Sequence, residues 1–455
     1  MAMIFPQQAL TGQALITGEF IKKVDDDQQA VVELVRSQLE LLSPVTAVQL
    51  AEQLGLSGSD INAALLSLQH EGFVMQGEII ESGQIHWCER RLLARLHRYA
   101  LSQARESIRP VGKDVFVRFM LNWQHLSLQS RGRGINALTA IIEKLQGYPI
   151  PLNKWRDLLA ARVEGFNLSE FETLFLAGQV VWHRPRTDIN SELRVTGLKR
   201  NSLIMIYTRE CAKNLSINHS YATQPLLSST AAHVYEALST SGSIFFDELQ
   251  EKSGLLSSQL ETALSELVNA GMVTSDSFQS LLKLVNGHRQ KRKMARRIGR
   301  VQPFAGRWMA IKLAEQQQTA MAYSDDYLKT VCRLLLKRYG VVFYSILQRE
   351  SSLPPWRTLR YMLKRQEARG EIVGGRFVSG VGGEQFADKE AIALLRKSTT
   401  DKSLGVHALD AVDPVNISQI LALGEPIPVT SKGKFIFKQG HFSAVNTHPG
   451  HIRKY

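Results

Sequence analysis

The chain has 455 residues, with 55 Lys+Arg against 42 Asp+Glu and a formal net charge of +13. At roughly 100–200 residues per domain this length calls for about three or four domains, and 44% hydrophobic content excludes a wholly disordered chain. The sequence has no apolar run of about 18 residues and no basic n-region at its start, and Cys88, Cys211 and Cys332 lie too far apart for a zinc, redox or disulfide framework.

Residues 1–27 read as an extension. The next stretch, Val45 to Val74, is VTAVQLAEQLGLSGSDINAALLSLQHEGFV. A Leu at Leu50 is followed by Gly55, then by Ile61, Leu65 and Leu68 at helical spacing, and the pattern stops at Gly72. That order predicts a short helix, a turn, a second helix with one buried face, a left-handed glycine at its end, and a strand in FVMQGEII. A helix-turn-helix followed by a β ribbon is a winged helix. Glu89 to Ile108 follows as a basic amphipathic helix, and the two together make a predicted segment at 28–110.

The second segment, 111–215, holds a weaker copy. LSEFETLFLAGQVVWHR, Leu168 to Arg184, repeats helix, Gly178, strand, and Leu198 to Leu215 contains a bridging strand. The third, 216–285, is the clearest repeat: IFFDELQEKSGLLSSQLETALSELVNAGMV has Leu249, Gly254, Leu260, Leu264, Leu267 and Gly271 in the same register. A basic linker and short strand span 286–323. The fourth unit, 324–395, has the same order from Ser345 to Val378, with Pro354 and Pro355 fitting the first turn of its second helix. Residues 396–455 alternate apolar and polar with Pro and Gly punctuation, which predicts a small sheet or barrel and a loose tail. The expected class is α+β, mainly helical: a tandem winged-helix array with a small C-terminal β-barrel module.

ERRLLARLHRY, FFDELQEKSGLLSSQLETALSELVNAGMVTSDSF, RYGVVFYSILQRESSLPPWRTL and ARGEIVGGRFVSGVGGEQFA resemble the carboxy-terminal region of the long-form bacterial large helicase-related (Lhr) proteins. The resemblance runs from about residue 30 to about residue 440. It implies a fold similar to that of the AlkZ-like DNA glycosylases, a role in DNA repair, and removal of uracil from DNA. The helicase motor of that family is not expected in this chain. Gly-Lys occurs only at Gly112 and Gly433, neither in a phosphate-loop frame.

Several motifs are candidates for chemistry or binding. RQKRKMARRIGR sets Arg289, Lys291, Arg292, Lys293, Arg296, Arg297 and Arg300 within twelve residues. Such a run repels itself unless anions neutralise it, and DNA phosphates do so while releasing counterions; a solvated linker is the bland reading. Arg307 follows. RFMLNWQHLSLQSRGRG places Trp123, Gln124 and His125 at a helix end, with Arg118 before them and Arg131 and Arg133 after. A glutamine there can orient water or read a flipped base, and a tryptophan can stack on it; equally, both can be core and cap residues. The AlkZ-like enzymes carry a glutamine pair spaced by one residue at a comparable helix end, whereas this chain has Asn122, Gln124 and Leu126.

A glycosylase also needs a carboxylate to activate water or stabilise oxocarbenium charge. Asp410 and Asp413, in DAVDPVNISQIL, are candidates, although Asp413 before Pro414 is equally a helix N-cap and turn signature. Where the family resemblance implies an arginine–aspartate–glycine turn, this chain has Lys438, Gln439 and Gly440. Catalysis is therefore assigned to Gln124, His125 and Asp413, and DNA contact to Trp123 and the arginines and lysines above. No cofactor or metal is expected, since the twelve histidines form no H-x-x-H pattern. Expected partners are DNA, single-stranded or damaged for preference, a helicase core and a second copy of the chain, in the cytoplasm at the nucleoid and away from membranes. The rival reading is a non-catalytic platform that holds DNA or oligomerises.

Overall fold

The structure, a computed structural model, describes residues 27–41, 44–80, 83–106, 108–185, 197–215, 226–285, 306–311, 323–350, 353–400, 407–424, 426–429, 433–438 and 441–445. It divides into two compact units, residues 1–107 and 108–455.

The first unit is a winged helix. It runs α1 (Asp27–Leu41), α2 (Ala47–Leu54), α3 (Gly58–His70), an antiparallel hairpin of β1 (Val74–Gly77) and β2 (His86–Glu89), then α4 (Arg90–Glu106). Thr46 starts α2 through a capping box: its hydroxyl accepts from the Gln49 amide at 3.2 Å, and the Gln49 side chain accepts from the Thr46 amide at 3.0 Å. Gly55 and Gly72 close α2 and the α3 turn at φ +66° and +73°, conformations that a Cβ would penalise. The spacing of Ile61, Leu65 and Leu68 puts them on one face, where they are buried with Val35, Leu39 and Leu50. α4 is largely exposed, with Leu96 and Tyr99 reaching solvent.

The second unit opens with α5 (Lys113–Trp123), β3 (Gly132–Arg133), α6 (Gly134–Leu145), β4 (Ile150–Pro151), α7 (Trp155–Arg162), β5 (Val163–Glu164), α8 (Leu168–Leu176), β6 (Val180–His183), β7 (Leu203–Thr208) and α9 (Arg209–Asn214). β4, β7 and β6 form one antiparallel sheet in that order, and β3 pairs with β5 in parallel. Next come α10 (Ser229–Ser241), β8 (Ser243–Phe245), α11 (Phe246–Ser253), α12 (Ser257–Asn269), β9 (Val273–Ser275) and β10 (Arg307–Ala310), with β10 between β8 and β9. α13 (Asp325–Tyr339), β11 (Val341–Phe343), a 3-10 turn at Tyr344–Arg349, α14 (Trp356–Ala368), β12 (Val373–Gly375), β13 (Gln385–Ala387) and α15 (Lys389–Lys397) form a further winged helix, its sheet ordered β11–β13–β12. Pro354 and Pro355 lie just before α14 rather than inside it.

Each of these repeats leaves its second helix through a left-handed glycine into a strand: Gly178 at φ +67°, Gly271 at +69°, Gly370 at +69°. One apolar core joins residues from Leu138 to Trp308; another joins α5 to α13, α14, α15 and the C-terminal strands. The apolar face of α5 therefore packs with the last winged helix, while Lys144 of α6 and Arg162 of α7 meet its Trp123 and Gln124 end. That places the Trp123 end of α5 against the middle of the unit.

The C-terminal strands β14 (His407–Asp410), β15 (Lys434–Lys438) and β16 (His441–Val445) form an open antiparallel sheet in chain order, with short helix α16 (Ser418–Leu421). The expected barrel is corrected here: among the described residues three strands of four or five residues form no closed barrel, since β14 and β16 both pair with β15 and not with each other, β16 adding only an isolated parallel bridge from Phe442 to Gly424. Closure of even a small barrel needs more strands than this.

Candidate functional site

The residues singled out around Trp123 and Asp413 do converge, and Arg162 is what joins them. Arg162 lies at the end of α7 with no exposed surface. Its Nη2 donates to Asp413 Oδ1 at 2.8 Å, its Nε to Gln124 Oε1 at 3.4 Å, and its Nη1 to the Leu158 carbonyl at 3.2 Å. Gln124 caps the C-terminus of α5, and its Nε2 donates to the Arg338 carbonyl. Asp413 Oδ1 also accepts from the Val415 amide at 3.0 Å, which makes the turn before α16 rather than the helix N-cap expected from Asp-Pro-Val. Arg349 donates to the Asp413 carbonyl at 2.9 Å and to the Tyr148 hydroxyl at 3.2 Å. Gln124 and Asp413 are thus buried and satisfied by protein, as polar groups in a core must be.

Trp123 is committed as well. Its Nε1 donates to the Lys337 carbonyl at 2.8 Å, its ring stacks on Phe119 with centroids 5.7 Å apart, and Lys144 Nζ sits 3.9 Å from its centroid. With Phe119 and Lys144 against the ring, and 8% of the residue exposed, no face remains for a nucleobase. The expectation that Trp123 stacks on DNA is corrected on that ground.

His125 is half-buried and carries φ +54°, a conformation that non-glycine residues adopt at a cost. Its Nδ1 donates to the Ser130 carbonyl at 2.6 Å. Burial pushes the imidazole pKa down, and the charges of Lys144 and Arg162 add to that, so the ring is held neutral. A neutral ring donating from Nδ1 keeps Nε2 as an acceptor.

Asp410 differs from Asp413. Its Oδ2 accepts from Lys154 Nζ at 2.5 Å, while Oδ1 is enclosed with no hydrogen-bond partner among the described residues. A buried carboxylate oxygen without a donor is costly unless something outside the protein supplies one.

The expected DNA-contacting arginines are mostly engaged. Arg118 pairs with Asp114 at 3.1 Å, Arg133 with Glu164, and Arg307 with Asp276 at 2.9 Å. Arg131 is half-buried and donates to the Leu126 carbonyl at 3.2 Å. Arg289, Lys291, Arg292, Lys293, Arg296, Arg297 and Arg300 lie outside the described residues. Sequence reasoning missed α14, whose Arg357 and Arg360 are exposed and whose Lys364 and Arg365 side chains are 42% and 40% exposed. The signal was present in WRTLRYMLKRQEAR: cations recur where apolar residues do not.

Two family models for the winged-helix domain of the large helicase-related protein match residues 111–200 and 322–406. The chain is 27% identical over 401 residues to a Mycolicibacterium smegmatis protein named Lhr helicase/probable uracil glycosylase, covering 82% of this chain and 25% of that protein. It is 25% identical over 420 residues to the Escherichia coli Lhr helicase/uracil glycosylase, covering 82% of this chain and 26% of that one. The chain therefore spans about a quarter of the length of the curated relatives it matches. No helix among the described residues is long and apolar enough to cross a membrane. The winged-helix matches and the extent of both alignments fit the carboxy-terminal region of the Lhr proteins.

Proposed function

We propose that the chain is a DNA-binding repair protein of Lhr type that hydrolyses the N-glycosidic bond of uracil in DNA. The support comes from the winged-helix repeats, the names of the relatives, and one geometric feature: the unpartnered Oδ1 of Asp410. In this reading the target nucleotide leaves the base stack, at least cost in single-stranded or mispaired DNA. A water held by Asp410 attacks C1′, its proton passes to the carboxylate, and the C1′–N1 bond breaks as uracil leaves with the electron pair. Neutral His125 is a second acceptor near the α5 end. Gln124 and Asp413, assigned to catalysis from sequence, act in this reading through Arg162 as positioning residues. A helicase core as partner and a cytoplasmic, nucleoid-associated location go with it.

The rival, a DNA-holding platform without chemistry, is favoured by the full burial of Gln124 and Asp413. Both readings are separated by incubating the full chain with a labelled single-stranded oligonucleotide carrying one uracil, without ATP or added metal, followed by alkali. Cleavage by the parent and a loss of a hundredfold or more in a folded Asp410→Asn variant is the expected result. Asp413→Asn is expected instead to lower the melting temperature. No cleavage by the parent makes the platform the function, and undiminished cleavage by Asp410→Asn removes Asp410 from the chemistry.

A further inference from the structure

The four winged helices are not equivalent in the helix that would face a nucleic acid. α3 presents Ser59, Asp60, Asn62, Leu66 and Ser67, with a single histidine, His70, in its last turn. α8 reads LSEFETLFL and α12 reads SSQLETALSELVN, with glutamates and neither Lys nor Arg. α14 alone among these second helices is cationic. Arg357, Arg360, Tyr361 and Lys364 recur at helical spacing along one stripe, with Arg365 beside them and Tyr361 64% exposed. Leu359, Met362, Leu363 and Gln366 are buried on the other side.

The wing beside α14 is fixed. Gln385, fully buried, accepts from the Phe377 and Val378 amides at 2.9 and 2.8 Å and donates to the Val378 and Val381 carbonyls at 3.0 and 3.2 Å. This pins the loop at 376–384 and carries Glu384 onto the helix. There Glu384 accepts from Arg360 Nε and from Lys364 Nζ at 2.9 Å. Glu384 occupies the two cations that a phosphate would seek, while Arg357 has no ion pair among the described residues.

We propose that α14 and the wing loop at 376–384 form the surface that takes duplex DNA, the helix entering the major groove, with Glu384 an internal counter-ion that DNA phosphate displaces. B-form DNA admits a helix in its major groove, whereas the major groove of an RNA duplex is too deep and narrow. This deepens the DNA-binding reading and is independent of uracil excision.

The test is fluorescence anisotropy of the full chain with a uracil-free 20-mer, as DNA duplex, single strand and RNA duplex, between about 50 and 200 mM salt. The DNA duplex is expected to bind tightest. Arg360→Ala/Lys364→Ala should weaken duplex binding tenfold or more and flatten the salt dependence by about two phosphates' worth, roughly 1.8 in the log–log slope. Glu384→Gln should tighten duplex binding severalfold, and Lys252→Ala, on α11, should change nothing. Circular dichroism checks that each variant is folded. Duplex binding unchanged in the double variant, binding not tightened by Glu384→Gln, or equal affinity for RNA duplex would each overturn the proposal while leaving DNA binding by other surfaces in place. Absence of binding to any form overturns the DNA-binding reading itself.

Discussion

Lys144 is where burial and an aromatic face compete for one ammonium. Contact with the Trp123 ring favours the charged form by about 0.5–2 kcal/mol. Burial opposes it, helped by the charge of Lys337, and wins over nearby Glu390, Asp388 and Glu143: the pKa falls to about 8. In the unfolded chain the ordinary value is 10.5, so between about 8 and 10.5 the unfolded state binds the extra proton and stability rises with pH. Lys144→Met removes that titration. Its urea-unfolding free energy, measured beside the parent from pH 7.5 to 10.5, should lose ground to the parent by about 1–3 kcal/mol across the range, since one pKa unit is worth about 1.4 kcal/mol. Parallel curves would mean that the ammonium is as well solvated folded as unfolded. The thiols offer no comparable switch: burial pushes Cys211 and Cys332 up to about 12, so both stay protonated near neutrality.

At the scale of elements, the glycines that end helices divide by what surrounds them. Gly254 closes α11 at φ +64° with nothing within 4 Å of where a Cβ would stand. Gly340, between α13 and β11, has φ +67° and would place a Cβ 2.5 Å from Phe119 Cζ and 3.1 Å from the Ala391 Cβ. Gly254→Ala should cost only the backbone penalty, about 1–2 kcal/mol, whereas Gly340→Ala should cost about 2–5 kcal/mol because α5 must also move. Equal losses in denaturant midpoints would show that α5 yields freely. This division also marks how far the sequence could be read. Helix, glycine and strand at Gly72, Gly178, Gly271 and Gly370 were legible because local spacing and backbone sterics suffice to specify them. The partnership of Gly340 with Phe119, or of Arg162 with Asp413 251 positions away, was not: it depends on which helices pack, and the apolar face of α5 packs on the distant last winged helix. Trp123 and Gln124 were legible as a pair at a helix end that could serve either DNA or the core; their contacts with Phe119, Lys144 and Arg338 depend on tertiary packing that spacing does not carry. The cations of α14 were legible residue by residue, and became significant only beside three second helices that lack them.

In the whole molecule, the first winged helix keeps its own core of Val35, Leu50, Ile61, Leu65 and Leu68, while the cores of the second unit share no buried apolar residue with it. Chains built from units with separate cores unfold in separate steps. Residues 108–455 are bound differently: Arg162 and Arg349 fasten Asp413 to α7 and to Tyr148, and Arg338 reaches the Gln146 carbonyl and Glu350, so its two apolar cores are tied by buried polar links. Breaking one partner of such a pair leaves an uncompensated buried charge and costs about 3–5 kcal/mol. Calorimetry of the full chain should therefore show two transitions. Leu65→Ala, deleting a fully buried side chain, should lower only the smaller one, by about 8 °C or more, since a loss of about 2–5 kcal/mol in a domain of under about 100 residues shifts the midpoint about 4–8 °C per kcal/mol. Arg162→Met should lower only the larger. A single transition moved by both variants would mean that the units unfold as one body; a split of the larger transition in the Arg162→Met variant would mean that the links through Arg338 and Arg349 and the small apolar cluster of Tyr207, Cys211 and Leu334 do not hold its two large cores together without that arginine. The expected pattern has a functional sense. A cationic helix can grip a duplex with a defined geometry only if the apolar core behind it, shared by α5, α13 and the C-terminal strands, does not open on the timescale of binding, and Arg162 and Arg349 fasten the Asp413 turn of that core to α7 and to Tyr148.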